Sequence, residues 1–404
     1  MQQPLKKNSE NELSLYVHWP FCQSKCPYCD FNSHVRENVE HEEWRRSLLM
    51  ELRYFLAKNS QKKIRSIFFG GGTPSLMEPE TISAIILEAN RLNGFTDDIE
   101  ITMEANPSSV EAHRFRDYKS AGINRVSLGV QSLDDAELHF LGRRHNKAEA
   151  LQAIEIAANN FSRYSFDLIY ALYSQTPDSW HKSLLDALQL KPQHISLYQL
   201  TIEENTNFYH RHKAGNLPVM DESMAAELYL ATGDILSQHN LMQYEISNYA
   251  VVGNESRHNL AYWRYQDYIG IGPGAHGRYS DELGRKIATQ TIRSPEKWLA
   301  AVSANGHGLD SSEVLSSQHI AEEFILMGMR LKEGMNLQNL AGILNIDVTD
   351  VLTNYIDQPA LSRLISQGYI NSGYINGGNG GNYIYAVNPA YCGVTDHLIR
   401  SILL

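Results

Sequence analysis

From Leu15 onward the chain repeats one unit: a short apolar run, a turn, an amphipathic stretch, then another apolar run. LYVHW (15–19), IRSIFF (64–69), IEITMEA (99–105), RVSLGV (125–130), YSFDLIYA (164–171), HISLYQL (194–200) and YEIS (244–247) read as strands. Helical spacing separates most of them. Trp44, Leu48, Leu52 and Phe55 fall on one face, as do Ile82, Ile85, Ile86 and Ala89 after Pro79, a residue suited to a first helical turn. Gly122 follows VEAHRFRDYKSA as a C-terminal cap would, and the next strand begins three residues later. Such β-α-β-α order implies a parallel sheet, and six or seven units in about 240 residues favour a full or partial barrel over an open sheet.

The pattern changes after residue 250. A loop-rich segment containing GIGPGAHG leads to helical patterns at 320–332, 336–344 and 359–367, then to YINSGYINGGNGGNYIYAV, a hairpin with a glycine-rich turn. The expected organisation is an N-terminal tail (1–12), an α/β barrel (13–250), a linking segment (251–316) and a small winged-helix-like α+β domain (317–404). At 404 residues the chain exceeds what a single core usually supports.

A winged helix suggests DNA, so charge decides. From Ser317 to Leu404 four Lys/Arg face seven Asp/Glu, and the whole chain carries a formal −11, whereas a DNA-reading surface is basic. Packing or partner binding is expected there, with no nucleic acid. No apolar run reaches the roughly 18 residues a membrane span needs, and MQQPLKKNSENE has no apolar core like a signal peptide's. The expected location is cytoplasmic.

Three of the four cysteines crowd into HWPFCQSKCPYCDF as C-x3-C-x2-C: Cys22, Cys26 and Cys29. They follow the first strand, at the barrel face where chemistry is done. Zinc wants four ligands, which His18 or His34 would have to complete, and an iron–sulfur cluster also usually takes four thiolates. Three thiolates therefore leave one iron open to a small molecule. Polar neighbours and prolines make buried structural thiols a poor alternative. GGGTP (70–74) ends the second strand, where glycines let the backbone approach a ligand closely or simply turn tightly. Cys392, remote from the loop, reads as a buried free thiol.

Together, the cysteine motif with Tyr28 before its last cysteine and the GGGTP strand end resemble the radical S-adenosylmethionine (SAM) superfamily. The resemblance implies a partial (β/α)6 barrel holding a [4Fe-4S] cluster on three cysteines, with S-adenosylmethionine chelating the fourth iron. SLYVHWPFC, FFGGGTPSLM, TMEANPSS, SLGVQSLDD, FLGRRHN, FDLIYAL and YEISNYA are similar, in this order, to the oxygen-independent coproporphyrinogen III dehydrogenases and the related HemW heme chaperones. Carried over residue by residue, the nucleotide contacts fall on Tyr16, Tyr28, Gly71, Gly72, Thr73, Glu104, Gln131, Arg143 and Asp167. The bland alternatives are that Glu104 or Asp167 caps a helix and that Arg143 is a solvated charge beside Arg144.

Two features separate the branches. The dehydrogenases resemble C-x3-C-x2-C-x-C, and here the last position is Phe31; the chaperones resemble H-N-x-x-Y-W, and here His258, Asn259, Tyr262 and Trp263 stand in RHNLAYW. A histidine can ligate heme iron, and Tyr and Trp offer faces to a porphyrin, although the same cluster suits an aromatic core. His276 is the second candidate ligand. The resemblance implies a heme chaperone on a radical-enzyme scaffold, with heme and an acceptor hemoprotein of a membrane-bound respiratory system as partners; a homodimer is left open. One departure stands out: the family's D-L-I-Y-G-L-P-G-Q-T reads DLIYALYSQT, placing Ala171, Tyr173 and Ser174 where glycine, proline and glycine are usual. Tyr173 is thereby expected near the nucleotide site.

Overall fold

The computed structural model describes residues 11–375 and 382–404. The glycine-rich turn at 376–381, most of the N-terminal tail and the side chain of Cys392 lie outside the described residues. Six strands form the parallel core of the main sheet: β1 (Glu12–Trp19), β2 (Lys63–Gly71), β3 (Phe95–Ala105), β4 (Arg125–Gln131), β5 (Arg163–Tyr170) and β6 (His194–Gln199). They lie in sequential order, β1 to β6, each paired in parallel with the next. Right-handed crossovers that never reverse direction put every connecting helix on one side of the sheet, which leaves a concave lumen on the other. This is the partial (β/α)6 barrel the sequence implies.

Side chains alternate across each strand. Leu13, Leu15 and Val17 of β1, Ile67 and Phe69 of β2, Ile101 and Met103 of β3 and Phe166 and Leu168 of β5 belong to one apolar core with Trp44, Leu48, Leu52 and Phe55 of helix His41–Ala57 and with Ile82, Ile85 and Ala89 of helix Pro79–Asn93. Burial of each such side chain contributes roughly 1.5–3 kcal/mol. The intervening positions form the other face: Ser14, Tyr16 and His18, Ser66, Glu100 and Glu104, Arg125 and Ser127, Ser165 and Asp167. Many of them hydrogen-bond one another across strands, and Tyr16 bonds His18 along β1. The lumen is therefore polar. Gly122 caps helix Phe115–Ala121 in the left-handed region, φ 114°, as its position suggests.

Two expectations need correction. YEIS is not a strand: residues 245–247 bend between the two short antiparallel strands Met242–Gln243 and Asn248–Ala250, because the buried Glu245 carboxylate accepts hydrogen bonds from the Ser247 N–H and from the Asn248 side chain. The segment read as a loop-rich link also folds. Tyr268–Ile271 pairs in parallel with β1, and His276–Ser280, Lys286–Thr291 and Leu309–Val314 extend the same sheet antiparallel, bringing it to twelve strands among the described residues. Gly272 and Gly274, with φ of 92° and 77°, make the tight turn in GIGPGAHG.

The C-terminal domain packs helices Ser317–Gly328, Leu337–Leu344, Val348–Asn354, Gln358–Ser366 and Thr395–Ile402 around a second core containing Phe324, Ile325, Leu340 and Ile399. Its sheet joins Met335–Asn336, Asn382–Val387 and Ile370–Ile375, the last two forming the expected hairpin. Arg278 and Tyr265 both bond Glu323, tying this domain to the barrel. No helix of the described residues is long and apolar enough to cross a membrane.

Candidate functional site

The carboxyl end of β1 delivers the cysteine loop. Phe21–Cys22 pairs with His34–Val35 and pins the two ends of the loop together. Inside it the Cys29 N–H bonds the Cys26 carbonyl at 3.2 Å, and Lys25 Nζ reaches the carbonyls of Phe31 and Ser33. Each thiol has its own neighbour. Thr73 Oγ1 lies 3.3 Å from Cys22 Sγ, Arg143 Nη1 donates to Cys26 Sγ at 3.4 Å, and Ser33 Oγ is 3.8 Å from Cys29 Sγ. Burial, with a smaller contribution from the neighbouring sulfurs, pushes the Cys22 and Cys29 thiols up. A positively charged iron centre would reverse that and hold them as thiolates.

Among the described residues no three His, Cys, Asp or Glu side chains form a ready group for one metal ion. Thiolates of an iron–sulfur cluster bind separate irons and need not converge as ligands of a single zinc must. His18 is also withdrawn from any zinc site: Nδ1 bonds Tyr16 OH at 3.0 Å and Nε2 bonds the Asn32 carbonyl at 2.9 Å. The loop fits a cluster on three cysteines and does not fit zinc on four ligands.

GGGTP lies directly against this loop, and its glycines serve the chain before they serve a ligand. The Gly72 N–H bonds Trp19 O at 2.7 Å, the Thr73 N–H bonds Phe21 O at 2.9 Å, and the Gly71 N–H reaches Glu104 Oε2 at 3.3 Å. A Cβ on Gly72 would meet Phe21 O at 2.8 Å and Cys22 Sγ at 3.0 Å; one on Gly71, whose φ is 114°, would sit 2.6 Å from His18. The glycines are thus required for strand end and cysteine loop to touch.

Beyond them, Tyr16, Glu104 and Asp167 line the lumen. Burial and the nearby Asp167 raise the Glu104 carboxyl to about 8, and burial raises Asp167 to about 6. Neither caps a helix, so the bland reading of these residues falls. A buried carboxyl raised in this way is poised to ionise when a cation arrives, as the ammonium group of an amino acid would supply. Arg143 is likewise no solvated charge: Nη2 donates to Asn106 Oδ1 at 2.7 Å and Gly129 O at 2.8 Å, and the guanidinium hydrogen-bonds the Tyr28 side chain. Arg143 Nε and Gln131 Oε1 are buried without partners, Gln131 with φ of 71°. Two orphaned polar atoms beside a cysteine loop are what a bound nucleotide would satisfy, so the residues present fit S-adenosylmethionine.

Asn106, which bonds both Arg143 and Glu111, and Asn32, whose Nδ2 ties the loop to Pro273 O at 2.9 Å and Arg293 O at 3.0 Å, are positioning residues that the sequence reading missed. A polar residue immediately past a strand end was the available signal. Tyr173 is 59% exposed and so does not crowd the site, whereas Ala171 takes φ of 61°, the reason glycine is usual there.

The RHNLAYW segment is helix Arg257–Trp263, which plugs the amino-terminal end of the lumen. Glu100 accepts from the N–H groups of Arg257 and His258 and from Arg163 Nη1 at 2.6 Å; although burial opposes it, Arg125 and Arg163 hold its carboxyl below the usual range. His258 is 1% exposed. Its Nδ1 bonds Ser66 Oγ at 2.9 Å, its Nε2 bonds Tyr262 OH at 2.7 Å, and its ring stacks on Phe68 at 5.0 Å. Burial lowers it to about 3. Both ring nitrogens of this imidazole are bonded within the protein, so ligation of heme iron would require one of those bonds to open. Asn259 and Trp263 are half-buried, and His276 lies on the strand beyond the glycine turn.

The Radical SAM superfamily model matches residues 16–187 and the HemN C-terminal domain model residues 315–372. Heme chaperone HemW of Escherichia coli strain K12 is 37% identical over 361 residues, covering 89% of this chain and 91% of that protein. The HemW of Haemophilus influenzae is 43% identical over 293 residues, 71% of this chain and 76% of its own length. A mitochondrial protein of Mus musculus, radical S-adenosyl methionine domain-containing protein 1, is 38% identical over 84% of this chain and 77% of its own. Among solved structures, coproporphyrinogen III oxidase (HemN) from Escherichia coli superposes with a TM-score of 0.78 at 20% identity, covering 98% of this chain and 91% of that one.

Proposed function

This chain belongs to the radical SAM superfamily and, within it, to the family of the HemW heme chaperones, and from that premise we propose that it binds heme and passes it to an acceptor hemoprotein. The acceptor we have in mind is respiratory, reached from the cytoplasmic side of its membrane. Cys22, Cys26 and Cys29 hold the [4Fe-4S] cluster, and Tyr16, Tyr28, Gly71, Gly72, Thr73, Glu104, Gln131, Arg143 and Asp167 form the pocket for S-adenosylmethionine. When bound, cluster and nucleotide together supply one-electron chemistry that the side chains cannot.

The chain's own contributions follow from charge and burial. Glu104, fixed by the Gly71 N–H, would release its proton to solvent and hold the nucleotide's ammonium group as a carboxylate. Arg143 holds Cys26 from one side and Asn106 from the other, so cluster loop and nucleotide wall move as one. His258 and Tyr262 keep the motif helix seated under Tyr16, whose ring centre lies 6.4 Å from that of His258. Asn259 and Trp263 are half-buried on the same helix.

The observation that carries the chaperone reading over decarboxylation is at position 31. Phe31 is 59% exposed at the rim of the cysteine loop, where the decarboxylating branch has a further cysteine. The test is heme titration into cluster-reconstituted protein, followed by transfer to a heme-free acceptor. Stoichiometric binding with transfer is expected, along with no conversion of coproporphyrinogen in the presence of nucleotide and reductant. Porphyrinogen turnover without heme binding would replace this function by the oxidative one.

A further inference from the structure

The motif helix has a second face. Arg257, Leu260 and Arg264 line a groove of about 430 Å³ that also takes in strand Met242–Gln243 and residues 332–333 of the C-terminal domain. Four cations, Arg65, Arg257, Arg264 and Lys332, line it against the carboxylates of Glu255 and Glu333, in a chain whose net charge is −11. Leu260 is 9% exposed and Met242 46%, so an apolar strip runs beside the charges.

The arginines are held but not locked. Arg257 pairs with Asp98, which is 63% exposed, and Arg264 with Glu333, which is 42% exposed. The Arg257–Asp98 pair, whose carboxylate stands in water, is worth roughly 0–1 kcal/mol, whereas Glu333 grips Arg264 through two bonds of 2.7 and 2.9 Å and is the group a ligand carboxylate has to displace. Carboxylates brought in by a ligand can take over those guanidinium groups, which bind them as planar forks. Across the helix, by contrast, the imidazole of His258 has no nitrogen to offer.

We propose that this groove, on the outer face of helix Arg257–Trp263, is the dock for heme: an amphipathic dianion whose two carboxylates meet Arg257, Arg264 and their neighbours while its ring edge lies on Leu260 and Met242. The proposal rests on the heme reading above and adds where the ligand sits and what recognises it. The C-terminal domain contributes Lys332 and Glu333 to one wall of the groove.

The test is titration of ferric heme into the full cluster-reconstituted chain, followed at the heme absorption band, for the wild type and four variants. Met242→Glu sets a carboxylate into the groove from an exposed position, and its Kd should rise roughly tenfold or more. Arg257→Gln should weaken binding roughly tenfold. Leu283→Glu, which adds the same charge at an exposed position outside the groove, and His258→Gln measured well below its melting temperature should stay within roughly threefold of wild type. Heme dimethyl ester, its carboxylates blocked, should bind wild type roughly tenfold more weakly than heme and should lose less than heme does on Met242→Glu. If wild type binds heme, both groove variants match it and His258→Gln alone loses binding, the groove is overturned while the chaperone reading stands. If wild type binds no heme, the chaperone reading itself has failed.

Discussion

Cys26 and His258 are both candidate metal ligands set at opposite ends of one lumen, and they are held in opposite ways. Cys26 sits half-exposed in a loop, with Arg143 3.4 Å from its sulfur, beside buried polar atoms that have no partner. His258 is enclosed, with each ring nitrogen bonded, a phenyl ring stacked on one face and a carboxylate capping its helix. Unsatisfied groups cost free energy until something binds them, whereas satisfied ones cost free energy when they are pulled apart. One end is thus arranged for a ligand and the other for rigidity, although a motif comparison would call both binding sites.

The largest effect expected of that contrast is on metal content. Cys26→Ser should abolish the cluster's visible absorption and its EPR signal after anaerobic reconstitution, while the thermal transition of the metal-free protein stays close to wild type, because the residue is half-exposed. A cluster retained on the remaining two thiols would break the assignment of this end as the metal site.

At the closed end the cost should appear in stability instead. His258→Ala removes a fully buried ring, strands the Tyr262 hydroxyl and leaves Ser66 only its bond to Ser14, so unfolding free energy should drop by roughly 3 kcal/mol. The urea midpoint measures it. A variant as stable as wild type that nevertheless lost heme would mean that the helix opens and the imidazole does ligate iron.

The two ends should also titrate in opposite senses. Glu104, at about 8 in the folded protein against 4.5 ordinarily, binds its proton more tightly when folded; its contribution is complete below 4.5 and is lost as pH rises to about 8. Asp167, at about 6, and Glu51, which burial lifts to about 7 despite its bonds to Trp298 and the Gly272 and Gly308 N–H groups, act in the same direction. His258, at about 3 against 6.5, contributes above 6.5 and loses that contribution as pH falls toward 3. Ligand-free protein should therefore lose stability between pH 6.5 and 8, with a slope of at most about 1.4 kcal/mol per pH unit for each group. Glu104→Gln should flatten that slope, and nucleotide affinity should rise with pH up to about 8. An unchanged slope in the variant would show that the lumen carboxyl is not the group that titrates.

Which parts of this were legible beforehand follows from burial. The six parallel strands are buried and packed under helices on one face, so they read as apolar runs, and Pro79 and Gly122 marked their helices correctly. Their lumen face was also written in the chain, as Ser14-Tyr16-His18 and Ser165-Asp167 at every second position, but that alternation is easily passed over when strands are sought as apolar runs. Strands 268–314 escaped for the opposite reason: Leu309–Val314 has five of six residues exposed and Lys286–Thr291 has polar residues at four of its six positions, so neither forms an apolar run. YEIS has a strand's composition, but buried Glu245 turns it. The thiols and the nucleotide wall could be named by resemblance, while the closure of His258 depends on Ser66 and Tyr16, contributed by strands far away in sequence, and no local pattern contains that information.

The smallest effect concerns Ala171, at the rim of the open end. Its φ of 61° puts a β-carbon where roughly 1–2 kcal/mol of steric cost is usual, and glycine would remove it. Against that, the residue is 5% exposed, so the variant loses a buried methyl, roughly 0.8 kcal/mol, and regains unfolded-state freedom worth roughly 0.4–1 kcal/mol. The terms nearly cancel, and Ala171→Gly should lie within about 0.5 kcal/mol of wild type. Ala153, fully buried inside helix Lys147–Asn160, has no such strain to relieve. There the same substitution combines the lost methyl with glycine's helix penalty and should cost roughly 1.5–2 kcal/mol. Urea midpoints of the pair measure the difference. Equal losses would mean that the rim carries no strain and that alanine in place of the usual glycine is accommodated there without cost.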